Sequence, residues 1–166
     1  MSVNFLAPTC QDISDKKVFG LCDDRPQQRA YLDETDGAKW VAVIANELRH
    51  TVTFTAVDHC ITILKADGTM HKRCDGLLTY DNVVLFVELK ERGGKGTNWI
   101  AEGYEQLRTT ISHFEASDLP VLYTIKKAYI ANGQRPKFRF TQTERMERFF
   151  QETGYVLRIE RRIVLD

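Results

Sequence analysis

Apolar positions along the chain follow two periods, and each period predicts its own kind of element. From Asp36 to Arg49, Trp40, Val41, Ile44 and Leu48 recur at helical spacing and predict a first helix. Strand-like segments follow at Thr51–Val57 and Cys60–Lys65, and Ala66-Asp67-Gly68-Thr69 has the composition of a hairpin turn. The return strand is expected from Met70 to Leu78, with a further turn at Tyr80-Asp81-Asn82. Val83-Val84-Leu85-Phe86-Val87 is apolar on both faces, the pattern of a central strand covered from both sides, and Glu88-Leu89-Lys90 continue it. After the loop Arg92–Gly96, Thr97 or Asn98 can cap a second helix whose stripe is Ile100, Tyr104, Leu107, Ile111 and Phe114. Pro120 stops that helix. Val121–Ala131 reads as a strand, Thr141–Thr153 as a third helix and Tyr155–Leu165 as a last strand. The expected order is helix, three or four strands, helix, strand, helix, strand. Residues 1–35 are polar, with Asp23-Asp24-Arg25-Pro26 as a turn signal, and predict an irregular or partly helical lead-in to one domain over residues 36–166.

Composition narrows the class. With 166 residues, 43% of them hydrophobic, the chain can bury one core. No apolar run reaches the roughly 20 residues of a membrane span, and Met1–Thr9 lacks a basic segment followed by an apolar one, so a cytoplasmic protein with no membrane partner is expected. Cys10, Cys22, Cys60 and Cys74 form no C-x-x-C pair, which argues against zinc. They are read as core thiols, not disulfides. The net charge is zero but uneven: residues 126–166 hold ten bases and five acids. A face toward phosphates and a set of solvated faces are equally compatible with that.

Glu88 is the informative break in the apolar run. A carboxylate at the end of a buried strand is costly without compensation. Residues two apart share a strand face, so Glu88 and Lys90 are presented together, with Phe86 behind them. Asp75 lies on the preceding strand, across the short turn, and Gly76 permits close backbone approach. Two carboxylates from adjacent strands then converge, a donor set suited to Mg²⁺ or Mn²⁺, with the Leu89 carbonyl as a further ligand. Such a centre hydrolyses phosphodiesters by neutralising the phosphate and activating water, and a neighbouring lysine orients the water or meets developing charge. The plain alternative is a surface Asp and an ordinary strand-end Glu/Lys pair.

At Asp75, Glu88-Leu89-Lys90 and the helix from about Asn98, the chain resembles the PD-(D/E)XK nuclease superfamily, with twelve residues between the two acids. The resemblance covers roughly residues 36–131, and Cys74 stands where the family name has proline. It implies an α/β domain with a mixed central sheet flanked by helices: a restriction-endonuclease-like αβββαβ core, here with an added C-terminal helix and strand. It also implies a glutamate on the first helix. Glu47, three residues after Ile44, projects from the apolar face of the expected helix and fits that role; the alternative is a side chain reaching solvent from the margin. Gln106, in Gly103-Tyr104-Glu105-Gln106-Leu107, resembles the family's substrate-side glutamine, or is an ordinary polar helix residue. Tyr104 is read as core.

Gly93-Gly94-Lys95-Gly96-Thr97 lacks the first glycine of a Walker loop, and glycine follows Lys95 where that loop has Ser or Thr, so an NTPase is excluded; the loop is read as a flap with Lys95 meeting a phosphate. His50, His59, His71 and His113 show no H-x-x-x-H spacing. The expectation is a Mg²⁺-dependent nuclease acting on DNA, with RNA as the second substrate and a homodimer or protein partner compatible with the family. The alternatives are a catalytically silent nuclease-fold subunit of a larger assembly, for example in defence or a mobile element, and an effector that a partner activates.

Overall fold

A computed structural model describes residues 3–91, 96, 98–134 and 142–166. The strands are β1 (Gln11–Ser14), β2 (Val18–Cys22), β3 (Tyr31–Asp33), β4 (Ala42–Ala45), β5 (Val52–Ala56), β6 (Gly76–Tyr80) and β7 (Val83–Lys90), followed by helix α1 (Asn98–Glu115). Then come β8 (Ile125–Asn132), helix α2 (Thr143–Thr153), β9 (Val156–Ile159) and β10 (Arg162–Val164). They build an α/β fold with two mixed sheets, ordered β1-β5-β6-β7-β8-β9 and β10-β4-β2-β3.

The layers follow from the central strand. All eight residues of β7 are buried. Its even positions, Val84 and Phe86, join the helices in one core with Ile100, Tyr104, Leu107, Ile111, Phe114 and Phe149. Its odd positions, Val83, Leu85, Val87 and Leu89, join a second core with Phe19, Leu21, Ile44 and Ile163 of the smaller sheet. Helices therefore cover one face of the large sheet and the small sheet covers the other, which is why β7 reads as a continuous apolar run. By the same parity Glu88 and Lys90 lie on the helix face.

The helix expected over Asp36–Arg49 is not formed. Asp36 does cap a helical turn, its side chain accepting from the Ala38 N–H at 3.3 Å, but the turn is a 3₁₀ segment, Gly37–Lys39. The β-branched run after Trp40 then extends as β4, and Leu48, the last member of the predicted stripe, is 69% exposed. Trp40 lies over Gly20, where a Cβ would stand 2.0 Å from its ring, so the small sheet claims the residues assigned to a helix.

The lead-in is structured too. β1 pairs antiparallel with β5, and β2 and β3 form half of the small sheet. The β1–β5 pairing brings Cys10 beside Cys60, and the two form a disulfide with Cα atoms 6.0 Å apart, against the expectation of free thiols. Cys22 and Cys74 are free and buried, as expected.

The expected strand Cys60–Lys65 reduces to one bridge, Leu64 to Met70, around the turn at Gly68. The expected strand Val121–Ala131 begins late, at Ile125, because Leu119–Leu122 forms a 3₁₀ turn around Pro120. The last strand splits in two: β9 pairs parallel with β8, and β10 pairs parallel with β4 in the other sheet. No described helix is long and apolar enough to cross a membrane.

Candidate active site

The β6–β7 ladder sets the site. Gly76 pairs with Val87, so one step further Asp75 faces Glu88. There the ladder changes from backbone to side chain. The Asp75 N–H donates to Glu88 Oε1 at 3.1 Å, and the Leu89 N–H donates to Asp75 Oδ2 at 2.7 Å. A strand residue's N–H and C=O point to the same edge, so the Leu89 carbonyl faces this gap as well. Two glycines allow the close approach. A Cβ on Gly76 would meet Phe54 at 2.5 Å and the Thr55 carbonyl oxygen at 2.6 Å. One on Gly103 would stand 3.1 Å from Ile130 and 3.4 Å from Glu88 Cγ, so α1 rests directly on the site.

Lys90 is buried beside Glu88. Its Nζ donates to Gln106 Oε1 at 2.8 Å, lies 3.0 Å from Glu88 Oε2, and is 3.6 Å from the exposed Glu102 carboxylate. Gln106 Nε2 donates to the Arg73 carbonyl at 3.4 Å, and the Cys74 N–H donates to Thr110 Oγ1 at 2.8 Å. The segment entering Asp75 is thus fastened along α1. His71 and His113 continue this line, their ring nitrogens 2.8 Å apart.

Burial dominates the electrostatics of both carboxyls. The Asp75 carboxyl is pushed well above the usual range, first by desolvation and next by Glu88. Glu88 is raised by desolvation, against the opposing hydrogen bond with Asp75 and the charge of Lys90. The two titrate as a pair. Asp23 follows β2, and although the residue is exposed its carboxyl lies near enough to Asp75 for its charge to raise the Asp75 pKa. The pKa of Asp23 is itself raised by desolvation and then by Asp58. Asp58 is itself held by Arg73 at 3.0 Å.

The structure brings together Asp75, Glu88, Leu89, Lys90 and Gln106. It does not bring Glu47. That residue is exposed in the turn after β4, where Arg49 adopts φ 52° and Asn46 ties the turn to Lys16 and His50. His50 stacks on Tyr80 at 4.5 Å, and Tyr80 pairs with Val83 at the start of β7. Five strand residues separate Val83 from Glu88, about 17 Å, so this turn stands at the wrong end of the sheet. The correction follows from the absent helix: strand β4 carries Glu47 away from the site.

Asp23 and Glu102 were not foreseen. Asp23 lay within a run read only as a turn. Glu102 precedes Gln106 by one helical turn, the only sequence cue to its place beside Lys90. Lys95 and its loop lie outside the described residues, apart from Gly96.

Among the described residues no three His, Cys, Asp or Glu side chains form a ready metal-ligand group. The donor chemistry nevertheless fits a hard cation. Asp75, Glu88 and the Leu89 carbonyl offer oxygens alone, and Mg²⁺ commonly takes one or two protein carboxylates with water and phosphate completing its shell. Two buried carboxylates, both raised by desolvation and Asp75 also by the charge of Glu88, are also the arrangement a divalent charge would relieve. Comparison of the chain with family models, with curated proteins and with solved structures gives no match in any of the three.

Proposed function

We propose that this chain is a Mg²⁺- or Mn²⁺-dependent nuclease that hydrolyses phosphodiester bonds in DNA, built on a PD-(D/E)XK-like core. The observation that carries the reading is Asp75 facing Glu88 across the open end of β6 and β7, with Lys90 on the same face of β7 and fixed by Gln106. The run β5-β6-β7-α1-β8 supports it, being the expected core without its leading helix.

Asp75, Glu88 and the Leu89 carbonyl would hold the cation, and Asp23 supplies the further carboxylate for which Glu47 had been expected. When bound, the metal neutralises the phosphate and lowers the pKa of water. The protein's own residues do the rest. The Leu89 N–H and the Asp75 N–H fix one oxygen of each carboxylate, so both are pre-set before substrate arrives. The Lys90 ammonium has three donors; Glu88 and Gln106 take two, and the third, on the side of the exposed Glu102 carboxylate at 3.6 Å, would be offered to an attacking water or to a phosphate oxygen. Gln106 positions Lys90 and, through the Arg73 carbonyl, the strand that carries Asp75.

The test is cleavage of plasmid and linear DNA, and of a matched RNA, with Mg²⁺, Mn²⁺ or EDTA. Lys90→Ala and Asp75→Ala are expected to lower the rate by about 10²–10³-fold, the loss typical for one charge-stabilising group. Equal rates for parent and variants would overturn the assignment. Calorimetry with Mn²⁺ completes it: the parent should bind, and Glu88→Gln should bind more weakly. Binding without cleavage of either nucleic acid would leave a silent nuclease-like subunit in place of the enzyme.

A further inference from the structure

Two arginines on α2 stand beside the site without serving it. β7 and β8 run parallel, with Lys90 level with Asn132, so both strands end at the edge that carries the carboxylates. β9 is parallel to β8 and starts beside Lys127, at the other edge. α2 leads into β9, so its last turn lies at that other edge and its first turns return toward Lys90 and Asn132. Its 11 residues span about 16 Å, enough to cover the distance.

α2 packs on α1 through Phe149 against Tyr104, ring centroids 5.0 Å apart, and the Arg148 guanidinium lies 5.3 Å over the same Tyr104 ring. Tyr104 adjoins Gly103, which rests on Glu88. Arg148 thus stands over the residue that follows Gly103, the point where α1 rests on Glu88.

Arg145, one turn earlier, lines a groove of about 450 Å³ with Gln142, Glu144, Glu147, Arg148 and Gln151. Its Nη1 is shielded from solvent and has no hydrogen-bond partner among the described residues. Of the nearby described acids, none is placed against Arg145 by an ion pair: Glu144 and Glu147 line the groove but are exposed. Glu152 lies beside Arg108 at 3.8 Å and Arg148 at 3.9 Å, and Glu105 binds Arg108 at 2.6 Å. A guanidinium held in place with an unused, desolvated N–H is matched by a phosphate oxygen, which accepts charge-assisted bonds in the fork geometry of arginine. A neutral ligand would leave that charge uncompensated.

We infer that Arg145 and Arg148 grip the DNA backbone beside the scissile bond, so that the substrate strand runs from Asp75 and Glu88 over Tyr104 onto α2. This rests on the nuclease reading.

The test is anisotropy with a labelled 25-base-pair duplex in Ca²⁺ or EDTA, across a salt series, for the parent, Arg145→Ala, Arg148→Ala, Arg145→Lys and a control, Lys126→Ala. Lys126 sits at the opposite end of β8 and pairs with Glu115. Each alanine variant on α2 should bind about 3–10-fold more weakly and lower the slope of log K against log salt by about one. Arg145→Lys should keep the slope, and Lys126→Ala should match the parent. Parental affinity and slope in both alanine variants would overturn the inference even if the parent cuts DNA. A parent that binds with the expected slope but never cuts would overturn the nuclease reading and leave the grip standing. Absence of DNA binding by the parent would overturn both.

Discussion

Replacing Asp75 by Asn should make the metal-free protein more stable while abolishing the proposed DNA cleavage. Asp75 and Glu88 are 7% and 3% exposed and face each other at the end of β6 and β7. Side chains opposed on paired strands stand about 5 Å apart. At an effective dielectric of 20, two like charges at that separation repel by about 3 kcal/mol. Lys90, 3.0 Å from Glu88, offsets part of this, so removing one charge should stabilise the fold by about 1–3 kcal/mol. Asn keeps a carbonyl oxygen for the Leu89 N–H, so the strand geometry survives. For a domain of this size the melting midpoint should rise by about 3–10 °C. The pH dependence has a definite sign. Both carboxyls are raised in the folded state, which therefore holds protons that the unfolded chain has released. Their stability contribution is complete below the ordinary carboxylate range and is lost as pH climbs through the raised values. The advantage of Asp75→Asn should accordingly vanish in acid and grow toward neutral pH. The assay is thermal or urea denaturation in EDTA from about pH 4 to 8, repeated with Mg²⁺. At ten times its dissociation constant, Mg²⁺ should add about 1.4 kcal/mol to the parent and almost nothing to the variant. A variant less stable than the parent at neutral pH in EDTA, or one stabilised equally by Mg²⁺, would refute the reasoning.

Other sites give independent expectations. Gly76→Ala forces a methyl against Phe54 and the Thr55 carbonyl and should cost about 3 kcal/mol in urea denaturation, because backbone on β5 cannot give way. Gly103→Val should cost about 1–3 kcal/mol and lower cleavage at least tenfold by lifting α1 off Glu88, whereas Gly103→Ala should be close to neutral. His113 is lowered by burial and then by His71, so it contributes stability that is complete above its ordinary value of 6.5 and lost as pH falls below that through the lowered folded value. Melting curves of His113→Gln should show a smaller decline between about pH 7 and 5.5 than those of the parent. Reduction of Cys10–Cys60, which closes a 50-residue separation, should cost about 4 kcal/mol on the chain-entropy model and lower the midpoint by roughly 10 °C in dithiothreitol.

The site was more legible in the sequence than the sheet around it. β7 and α1 carry unambiguous periods, so the parity that sets Glu88 beside Lys90, and the turn that sets Gln106 above them, could be read directly. Asp75 followed from a two-residue turn, with Asp81 at φ 47°. The small sheet was not legible because its strands are three to five residues long and their burial depends on partners distant in sequence. Trp40, Val41 and Ile44 fit a helical stripe as well as a strand; only the contact of Trp40 with Gly20 decides between them. Glu47 failed with that helix, and Asp23 was missed because nothing local says that the chain after β2 returns to Asp75. The Cys10–Cys60 pairing was hidden for the same reason, being fixed by the register of β1 on β5.

That bond also makes the small sheet topologically unusual. Cys10 and Cys60 close a covalent ring that holds β2, β3 and β4, while the fourth strand of their sheet, β10, comes from outside it. Ile163 docks beside Ile44, roughly 120 residues earlier in the chain, and the Leu165 N–H donates to the Ala45 carbonyl at 2.9 Å. β10 therefore behaves as a latch on a finished ring. Until it closes, β4 is a bare edge with unpaired amides, the kind of surface that recruits foreign strands. Release of the latch should be the lowest-cost route to aggregation, and amide exchange in β4 should quicken with that of β10 before the rest of the molecule opens.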